Sequence, residues 1–330
     1  MEEEARPSKK ARGGAGSGLT ALALRLAKQL AEGGGQNQNL VFSPVSIHAA
    51  LSLVAARARG TTLHELLALL GAASRDELAE FARGVAERSG SRGAPLVAFA
   101  CGLWHEKTVA LKPAYHAAAV ESHKAETRAA DFNSKPEEAI EEINSWVSKA
   151  TKNLITSILP RGSVHSSTSL VIANAVYFKG TWSMPFDKKD TETRQFHLLD
   201  GRTVRAPFLR ARKDQAIAAH KGFKVLKLSY RPYRLPHWQD MYVTLSGRGR
   251  QKQGSGSDDE QPRFSMCVFL PDARDGLPGL VDEMASDPKF LWDHLPANRL
   301  ETGEVRLPKF KLSFSSRING VLDSQKKWRS

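Results

Sequence analysis

The sequence predicts an α+β fold with more than one β-sheet. Stretches with helical periodicity and stretches typical of buried strands are interspersed, without the strict alternation that marks a parallel α/β protein. No internal repeat is visible along the 330 residues. Hydrophobic residues make up 41% of the chain, which is enough for a substantial core.

The N-terminal elements follow from local signals. Residues 1–18 are charged and rich in glycine, and we expect a disordered tail there. Residues 19–32 carry leucines at helical spacing and precede three glycines, which predicts a first helix. A short strand is expected at 40–42. Ser43 is then suited to cap the next helix, with Pro44 at its first position.

The following elements are predicted from caps and periodicity. Ser74 and Glu77 have the spacing of a capping box at the start of a helix, and Ser134 is expected to cap another helix with an acidic first turn. These signals predict helices at 64–70, 74–88, 113–124 and 134–152, and a buried strand at 95–104.

Strands dominate the second half of the prediction. Residues 168–179 are apolar on both faces, which indicates a central strand covered on both sides. Asp200-Gly201 is a hairpin turn dipeptide between two strands at 193–209. Further strands are expected at 215–230, at 264–270 and, interrupted by Pro308, at 304–314, with helices at 277–285 and 290–295.

A polar, low-complexity insertion separates two of these strands. Residues 231–263 interrupt the pattern, and 247–262 consist almost wholly of Gly, Ser, Gln and charged residues. We therefore expect a long loop at about 231–263.

The charge is unevenly distributed. The formal net charge is +13, and residues 201–253 contain thirteen Lys and Arg against two acids. One interpretation is a solvated basic loop, and the alternative is weak binding of a polyanion through Arg248, Arg250 and Lys252.

The chain has no features of a secreted or membrane protein. Its N-terminus lacks the apolar region of a signal peptide, and no apolar run reaches membrane-spanning length. Cys101 and Cys267 lie in apolar stretches and are expected to be free thiols. These features predict a soluble cytoplasmic or nucleocytoplasmic protein with no membrane partner.

No catalytic or metal-binding pattern survives inspection. His64-Glu65 lacks the second histidine of a zinc-protease motif, and no Gly-x-Ser-x-Gly occurs. Cys101 has His105 four residues on, but its apolar setting is unsuited to a nucleophile. We therefore expect no enzyme activity, no cofactor and no metal site.

Four blocks carry a resemblance to a known family. They are NLVFSPVSIHAALSLV at 39–54, ANAVYFKGTWSMPFD at 173–187, FSMCVFLPDARDGLPGLV at 264–281 and VRLPKFKLSF at 305–314. The order of the blocks and their residues resemble those of the serpins. The segments HLLDG at 197–201 and FLPDARDGLP at 269–278 resemble the plant branch of that family. The resemblance implies a serpin fold, with helices around three β-sheets, in one domain spanning 19–330.

The resemblance also implies a function and particular residues. Serpins bait a serine or cysteine protease with an exposed loop, which inserts into the main sheet after cleavage. By resemblance, Ser43, Ser46 and Asn174 belong to the shutter under that sheet, and Trp182 belongs to the breach where the loop enters. A purely structural interpretation is that Ser43 caps a helix, Ser46 lies in its first turn and Trp182 is a core aromatic residue. Both interpretations can hold together.

The end of the sequence departs from the family pattern. After Phe314 it reads SSRINGVLDSQKKWRS, without the reactive loop, the scissile bond or the final strands that the resemblance implies. We therefore expect an incomplete, C-terminally truncated and non-inhibitory serpin. The alternatives are an active inhibitor with a different C-terminus and a polyanion-binding protein.

Overall fold

The computed structural model describes residues 14–33, 39–87, 96–212, 214–231, 264–300 and 303–312. These residues form two compact units. The first contains the described parts of 14–87 and 99–176, and the second contains residues 96–98 with the described parts of 177–312.

Eight α-helices occur in the described residues. Their bounds are α1 Gly14–Gly33, α2 Pro44–Ala55, α3 Gly60–Leu70, α4 Arg75–Glu87, α5 Pro113–Ala117, α6 Pro136–Ala150, α7 Leu277–Ser286 and α8 Phe290–Asp293. A π-helical turn, Ala118–Ser122, continues α5, and Lys188–Asp190 form a 3₁₀ turn. None of the described helices is long and apolar enough to cross a bilayer.

Nine strands form three sheets in the same residues. Their bounds are β1 Leu96–Glu106, β2 Glu126–Ala130, β3 Leu170–Lys179, β4 Glu192–His197, β5 Thr203–Ala211, β6 Ala216–His220, β7 Phe223–Ser229, β8 Ser265–Pro271 and β9 Val305–Pro308. The sheet orders are β2-β1-β3, β4-β5-β9 and β6-β7-β8. β1 and β2 are parallel, with Gly102 opposite Glu126. The other two sheets are antiparallel. This mixture confirms the predicted α+β class with three sheets.

Helix α6 packs on the first sheet through one apolar stripe. Ile140, Ile143 and Val147 lie at helical spacing and are all buried, together with Ala173 and Ala175 of β3. In the second unit, Leu280 of α7 and Phe290 of α8 cover Phe223 and Val225 of β7 in the same way. These helices therefore bury one face of the β2-β1-β3 sheet and one face of the β6-β7-β8 sheet.

Two tryptophans and their carboxylate partners join α6 to β1 and β2. The Trp104 and Trp146 rings meet edge to face, with centroids 5.0 Å apart. The Trp104 indole donates to Glu142 over 3.1 Å, and the Trp146 indole donates to Glu126 over 2.7 Å. Gly102 makes room for this pair, because a Cβ there would lie 2.4 Å from the Trp104 ring. The helix is thus fixed by aromatic packing and by directional hydrogen bonds.

The segment after α6 is fastened to the helix by Asn144. Its amide nitrogen donates to the Leu159 carbonyl over 2.9 Å. Its amide oxygen accepts from the Ile158 and Leu159 backbone nitrogens over 2.9 and 3.0 Å. About two turns earlier on the helix, Glu137 accepts from the backbone nitrogen of Gly162 over 3.0 Å. Two side chains of α6 therefore satisfy backbone groups that an irregular segment would otherwise leave unpaired.

Several predicted boundaries are wrong for local reasons. Helix α1 begins at Gly14, so the last residues of the predicted tail are helical. Residues 40–42 form no strand, because they lead directly into the extended cap of α2. Lys135, rather than Ser134, is the N-cap of α6, and the Ser134 backbone nitrogen donates to Asp131. The predicted second strand beyond Pro308 does not form at 309–312.

The expectation of a central strand covered on both sides is only partly met. In β3, Ala173 and Ala175 are buried, whereas Leu170 and Phe178 near its two ends are 40% and 39% exposed. Helix α6 covers the middle of the strand and leaves the ends open. The described parts of the sheet place β3 at one edge.

A close backbone approach in the first unit joins α1 to the end of α3. Gly71 caps α3 with φ of +65°, in the left-handed region. A Cβ at Gly71 would lie 2.5 Å from the Gly18 Cα atom. Because the clashing atom belongs to the backbone, the clash could be relieved only by moving one of the two helices. Glycine is needed here for both its φ and its size.

We expect Gly71→Ala to lower the free energy of unfolding by about 1–3 kcal/mol, because it adds strain and overpacking together. Urea denaturation followed by circular dichroism measures the change. Gly279→Ala is the matched control, since a Cβ at Gly279 of α7 meets nothing within 4 Å. Equal midpoints for the two variants would contradict the packing argument.

Candidate functional site

The three residues that the sequence assigned to one region do lie together. Ser43 and Ser46 begin α2, and the Asn174 side chain reaches them from the middle of β3. The Asn174 amide nitrogen donates to the Ser46 carbonyl over 3.0 Å, which joins residues 128 apart in the sequence. This junction fastens the start of α2 to the first sheet.

Ser43 is the N-cap of α2, as predicted. Its hydroxyl accepts from the Ser46 backbone nitrogen over 3.3 Å, and Pro44 occupies the first turn. The bond to β3 uses the Ser46 carbonyl rather than a serine hydroxyl. The cap therefore sets the position of the helix start, and the helix backbone makes the contact with the sheet.

Within the described part of the chain, one polar atom of Asn174 has no hydrogen-bond partner. Its amide oxygen is buried and finds no donor among the described residues. A buried acceptor in this condition is destabilising, and most are paired in folded proteins. The strand that carries Asn174, β3, lies at one edge of the described sheet.

Two buried histidines lie in the same unit. His48 follows Ser46 on α2 and has no exposed surface; its ring contacts the Leu70 carbonyl and the Ser52 hydroxyl, each over 3.3 Å. His123 is 3% exposed, and its Nδ1 lies 3.1 Å from the Ala118 carbonyl. Burial lowers the pKa of both imidazoles, and backbone acceptors oppose this shift only in part. Both rings are thus favoured in the neutral form.

Trp182 lies in the second unit, just beyond β3, within an aromatic cluster. It stacks on Tyr230 with ring centroids 4.3 Å apart and meets Phe186 edge to face at 6.4 Å. Its backbone pairs with Tyr230 in an isolated bridge. Trp182 is half-buried, so it packs as a core aromatic residue does while one part stays accessible.

Tyr230 is the member of this cluster that sequence reasoning missed. Its ring contacts Phe178 as well as Trp182. A Cβ at Gly180 would lie 2.3 Å from the Tyr230 ring, so the glycine leaves the space that the tyrosine fills. The available signal in the sequence is Gly180, a residue without a side chain directly after β3.

Most of the predicted loop, residues 232–263, lies outside the described residues. The candidate polyanion residues Arg248, Arg250 and Lys252 lie within that range. Part of the basic region is described. There, Arg202 pairs with Asp200 and Lys224 pairs with Asp272. Arg210 pairs with Glu192 and Glu304. These three cations are partly neutralised by neighbouring acids.

Cys101 is built into the core of the first unit. It is 4% exposed on β1 and packs with Leu53 and Leu103. Burial raises the pKa of the Cys101 thiol to about 12. Both cysteines are free, as predicted, although Cys267 is only half-buried. A thiol with so high a pKa is unsuited to act as a nucleophile.

We expect Cys101 to resist alkylation by iodoacetamide at pH 8 while the protein is folded, because the thiolate is the reacting form. Peptide mapping by mass spectrometry measures the modified fraction over time. Cys267 serves as the internal comparison and should react first, and both should react fully in urea. Native labelling of Cys101 as fast as in urea would contradict the buried placement.

Known proteins are similar to this chain in sequence and in fold. The sequence model of the family described as Serpin (serine protease inhibitor) matches residues 17–326. Serpin-Z2A of Oryza sativa subsp. japonica is 54% identical over 318 residues, which cover 92% of this chain and 74% of that protein.

Solved structures agree with the sequence comparisons. The structure of Arabidopsis AtSerpin1 in its native stressed conformation matches with a TM-score of 0.81 at 38% identity, covering 96% of this chain and 76% of that one. Ovalbumin from emu (Dromaius novaehollandiae) shares the fold, with a TM-score of 0.78 at 23% identity over 95% of this chain and 78% of that one.

These findings define an α+β protein with the serpin fold. The chain belongs to the serpin family of serine protease inhibitors, and among its members it resembles the plant serpin-Z proteins.

Proposed function

We propose that this chain provides the sheet framework of a protease inhibitor whose partner is a serine or cysteine protease. The observation that carries the proposal is the bond between Asn174 and the Ser46 carbonyl, which links the middle of β3 to the helix beneath it. We assign Ser43, Ser46 and Asn174 to the shutter and Trp182 to the breach. In these roles they control access to the edge of β3.

Two features of the described sheet support this assignment. β3 lies at an edge of the β2-β1-β3 sheet, and the Asn174 amide oxygen has no donor in the described part of the chain. An edge strand offers backbone donors and acceptors to an added strand. A strand that pairs there would extend the sheet and bring donors close to Asn174.

A polypeptide of these 330 residues should not trap its protease. The 16 residues after Phe314 in this polypeptide contain no alanine and therefore no alanine-rich run that could serve as bait. Trapping draws its force from insertion of the cleaved loop as a strand, so the framework without that loop has nothing to insert. We expect such a polypeptide to be cleaved as an ordinary substrate.

Incubation of this polypeptide with trypsin-like, chymotrypsin-like and papain-like proteases tests the proposal. Denaturing gel electrophoresis should show fragments without a stable protease adduct, and the proteases should keep their activity on a small substrate. A stable adduct with any of the three would overturn the non-inhibitory assignment. It would instead favour the alternative of an active suicide inhibitor.

Polyanion binding is a second candidate function. Arg205, Lys221 and Arg231 are exposed in the described part of the basic region, and no ion pair to them is found within the described residues. Retention on a heparin column that falls with salt would support this function. Loss of retention in Arg248→Gln/Arg250→Gln/Lys252→Gln, but not in Arg59→Gln, would assign it to the predicted residues.

A further inference from the structure

An apolar groove in the first unit lies apart from the shutter junction. Its cavity volume is about 400 Å³, within the range of small-molecule sites. It lies among the end of α2, the start of α3, the loop before α5 and the start of β3. Its apolar lining comes from Val54, Leu111, Tyr115, Leu170 and Ile172.

Part of this apolar lining is open to solvent. Val54 is 41% exposed and Leu170 is 40% exposed, although both are large aliphatic side chains. The Tyr115 hydroxyl is directed to the Leu53 carbonyl at 3.4 Å, so the ring rather than the hydroxyl is available to a ligand. An alkyl chain in the groove would remove these surfaces from water.

The charged side chains that line the groove are all positive. Among the described residues that line the groove, these are Arg57 and Lys112, and none is acidic. Neither cation forms an ion pair within the part of the chain that the structure describes. A ligand that combines an alkyl chain with an anionic head would match both the lining and its charge.

Two helix ends near the groove both favour a positive electrostatic potential there. Thr62, which lines the groove, lies in the first turn of α3, and the N-cap of that helix makes no side-chain hydrogen bond. The positive end of the helix dipole is therefore near the groove. At the end of α2, Arg75 donates to the Ala55 carbonyl over 3.1 Å and also to the Ala58 carbonyl. These donations offset the negative end of that helix.

We propose that this groove binds a linear alkyl carboxylate of medium chain length. The chain lies against Val54, Leu170 and Ile172, and the carboxylate faces Arg57 and Lys112. This inference goes beyond the proposed function, because it uses neither the shutter residues nor a protease.

Isothermal titration calorimetry of the 330-residue protein with dodecanoate, below its micelle concentration, tests the proposal. We expect saturable binding of one dodecanoate per chain that weakens from 50 to 500 mM salt, with no saturable binding of dodecyltrimethylammonium. Equal binding of the two surfactants, or binding of several dodecanoates without saturation, would overturn the proposal.

Variants locate the binding site. Val54→Trp fills the groove from an exposed position and should abolish binding, whereas Val109→Trp, also at an exposed position but outside the groove, should leave it unchanged. Arg57→Gln should weaken the affinity about twofold to fivefold, as expected for a partly exposed ion pair. Its neighbour Arg59 is exposed and does not line the groove, so Arg59→Gln should bind as the parent does. Unchanged binding in Val54→Trp would refute the assignment.

Discussion

Trp104→Ala should destabilise the protein by about 3–5 kcal/mol, the range for removing a large buried aromatic side chain. Trp104 has no exposed surface and lies in the cluster that joins α6 to the first sheet. The substitution also removes the edge-to-face contact with Trp146, and such pairs contribute about 0.5–1.5 kcal/mol beyond their buried area. A domain typically has only about 5–15 kcal/mol in total, so much of the stability would be lost.

Urea denaturation followed by far-ultraviolet circular dichroism measures this loss. Trp292→Ala is the matched control, because Trp292 is 50% exposed and its removal should cost less than about 1 kcal/mol. Trp104→Phe keeps an aromatic ring but not the indole donor to Glu142, and it should fall between the parent and Trp104→Ala. Similar losses at positions 104 and 292 would show that the aromatic pair does not hold α6.

The stability of the protein should fall as the pH is lowered from 7.5 to 5.5. Burial lowers the pKa of His48 and His123 in the folded state. Once the pH drops below the ordinary histidine pKa of about 6.5, the unfolded chain therefore binds protons that the folded chain does not. Each histidine then contributes a slope of at most about 1.4 kcal/mol per pH unit, and the pair at most about 2.7.

Urea midpoints at pH 7.5, 6.5 and 5.5 measure this slope. Most carboxylates stay ionised over that window, since their ordinary pKa values lie near 4. His48→Gln and His123→Gln should each reduce the slope, even if they also lower stability at pH 7.5. His64→Gln is the control, because His64 is exposed. A midpoint that rises toward pH 5.5 would contradict the neutral, buried assignment.

Local signals in the sequence predicted much of the fold. The Ser43 cap with Pro44 depends on residues within one turn and forms as predicted. The Ser74 capping box forms in half: the Ser74 hydroxyl accepts from the Glu77 nitrogen, but the Glu77 carboxylate accepts from the Ala73 nitrogen rather than from that of Ser74. The turn at Asp200-Gly201 also forms as predicted, with Gly201 at φ of +90°. These signals succeed because the groups that determine the conformation are adjacent in sequence.

Other features depend on contacts that local patterns do not encode. The Ser134 cap does not form: Lys135 is the N-cap of α6, and the Ser134 backbone nitrogen donates to the Asp131 carboxylate. The fit of Gly71 against Gly18 joins two helices, and nothing near either glycine in the sequence predicts the other.

The sequence predicted which residues form the candidate site, but it did not predict the hydrogen bonds between them. Resemblance placed Ser43, Ser46 and Asn174 in one region, and the structure brings them together. It did not predict that a backbone carbonyl of α2, rather than a hydroxyl, would receive the Asn174 amide. Tyr230 was missed because its partner Trp182 lies 48 residues earlier, with strands β4 to β7 between them, and only the tertiary fold pairs the two.

The hydrogen bonds of the Asn144 side chain couple the movement of α6 to that of the segment after it. It forms three hydrogen bonds with the backbone at 158 and 159, and Glu137, about two turns earlier on the same helix, accepts from the Gly162 nitrogen. Detaching α6 while leaving this segment in place would strand several polar groups without partners. The helix and its trailing segment therefore constitute a single cooperative unit that lifts from the sheet together or not at all.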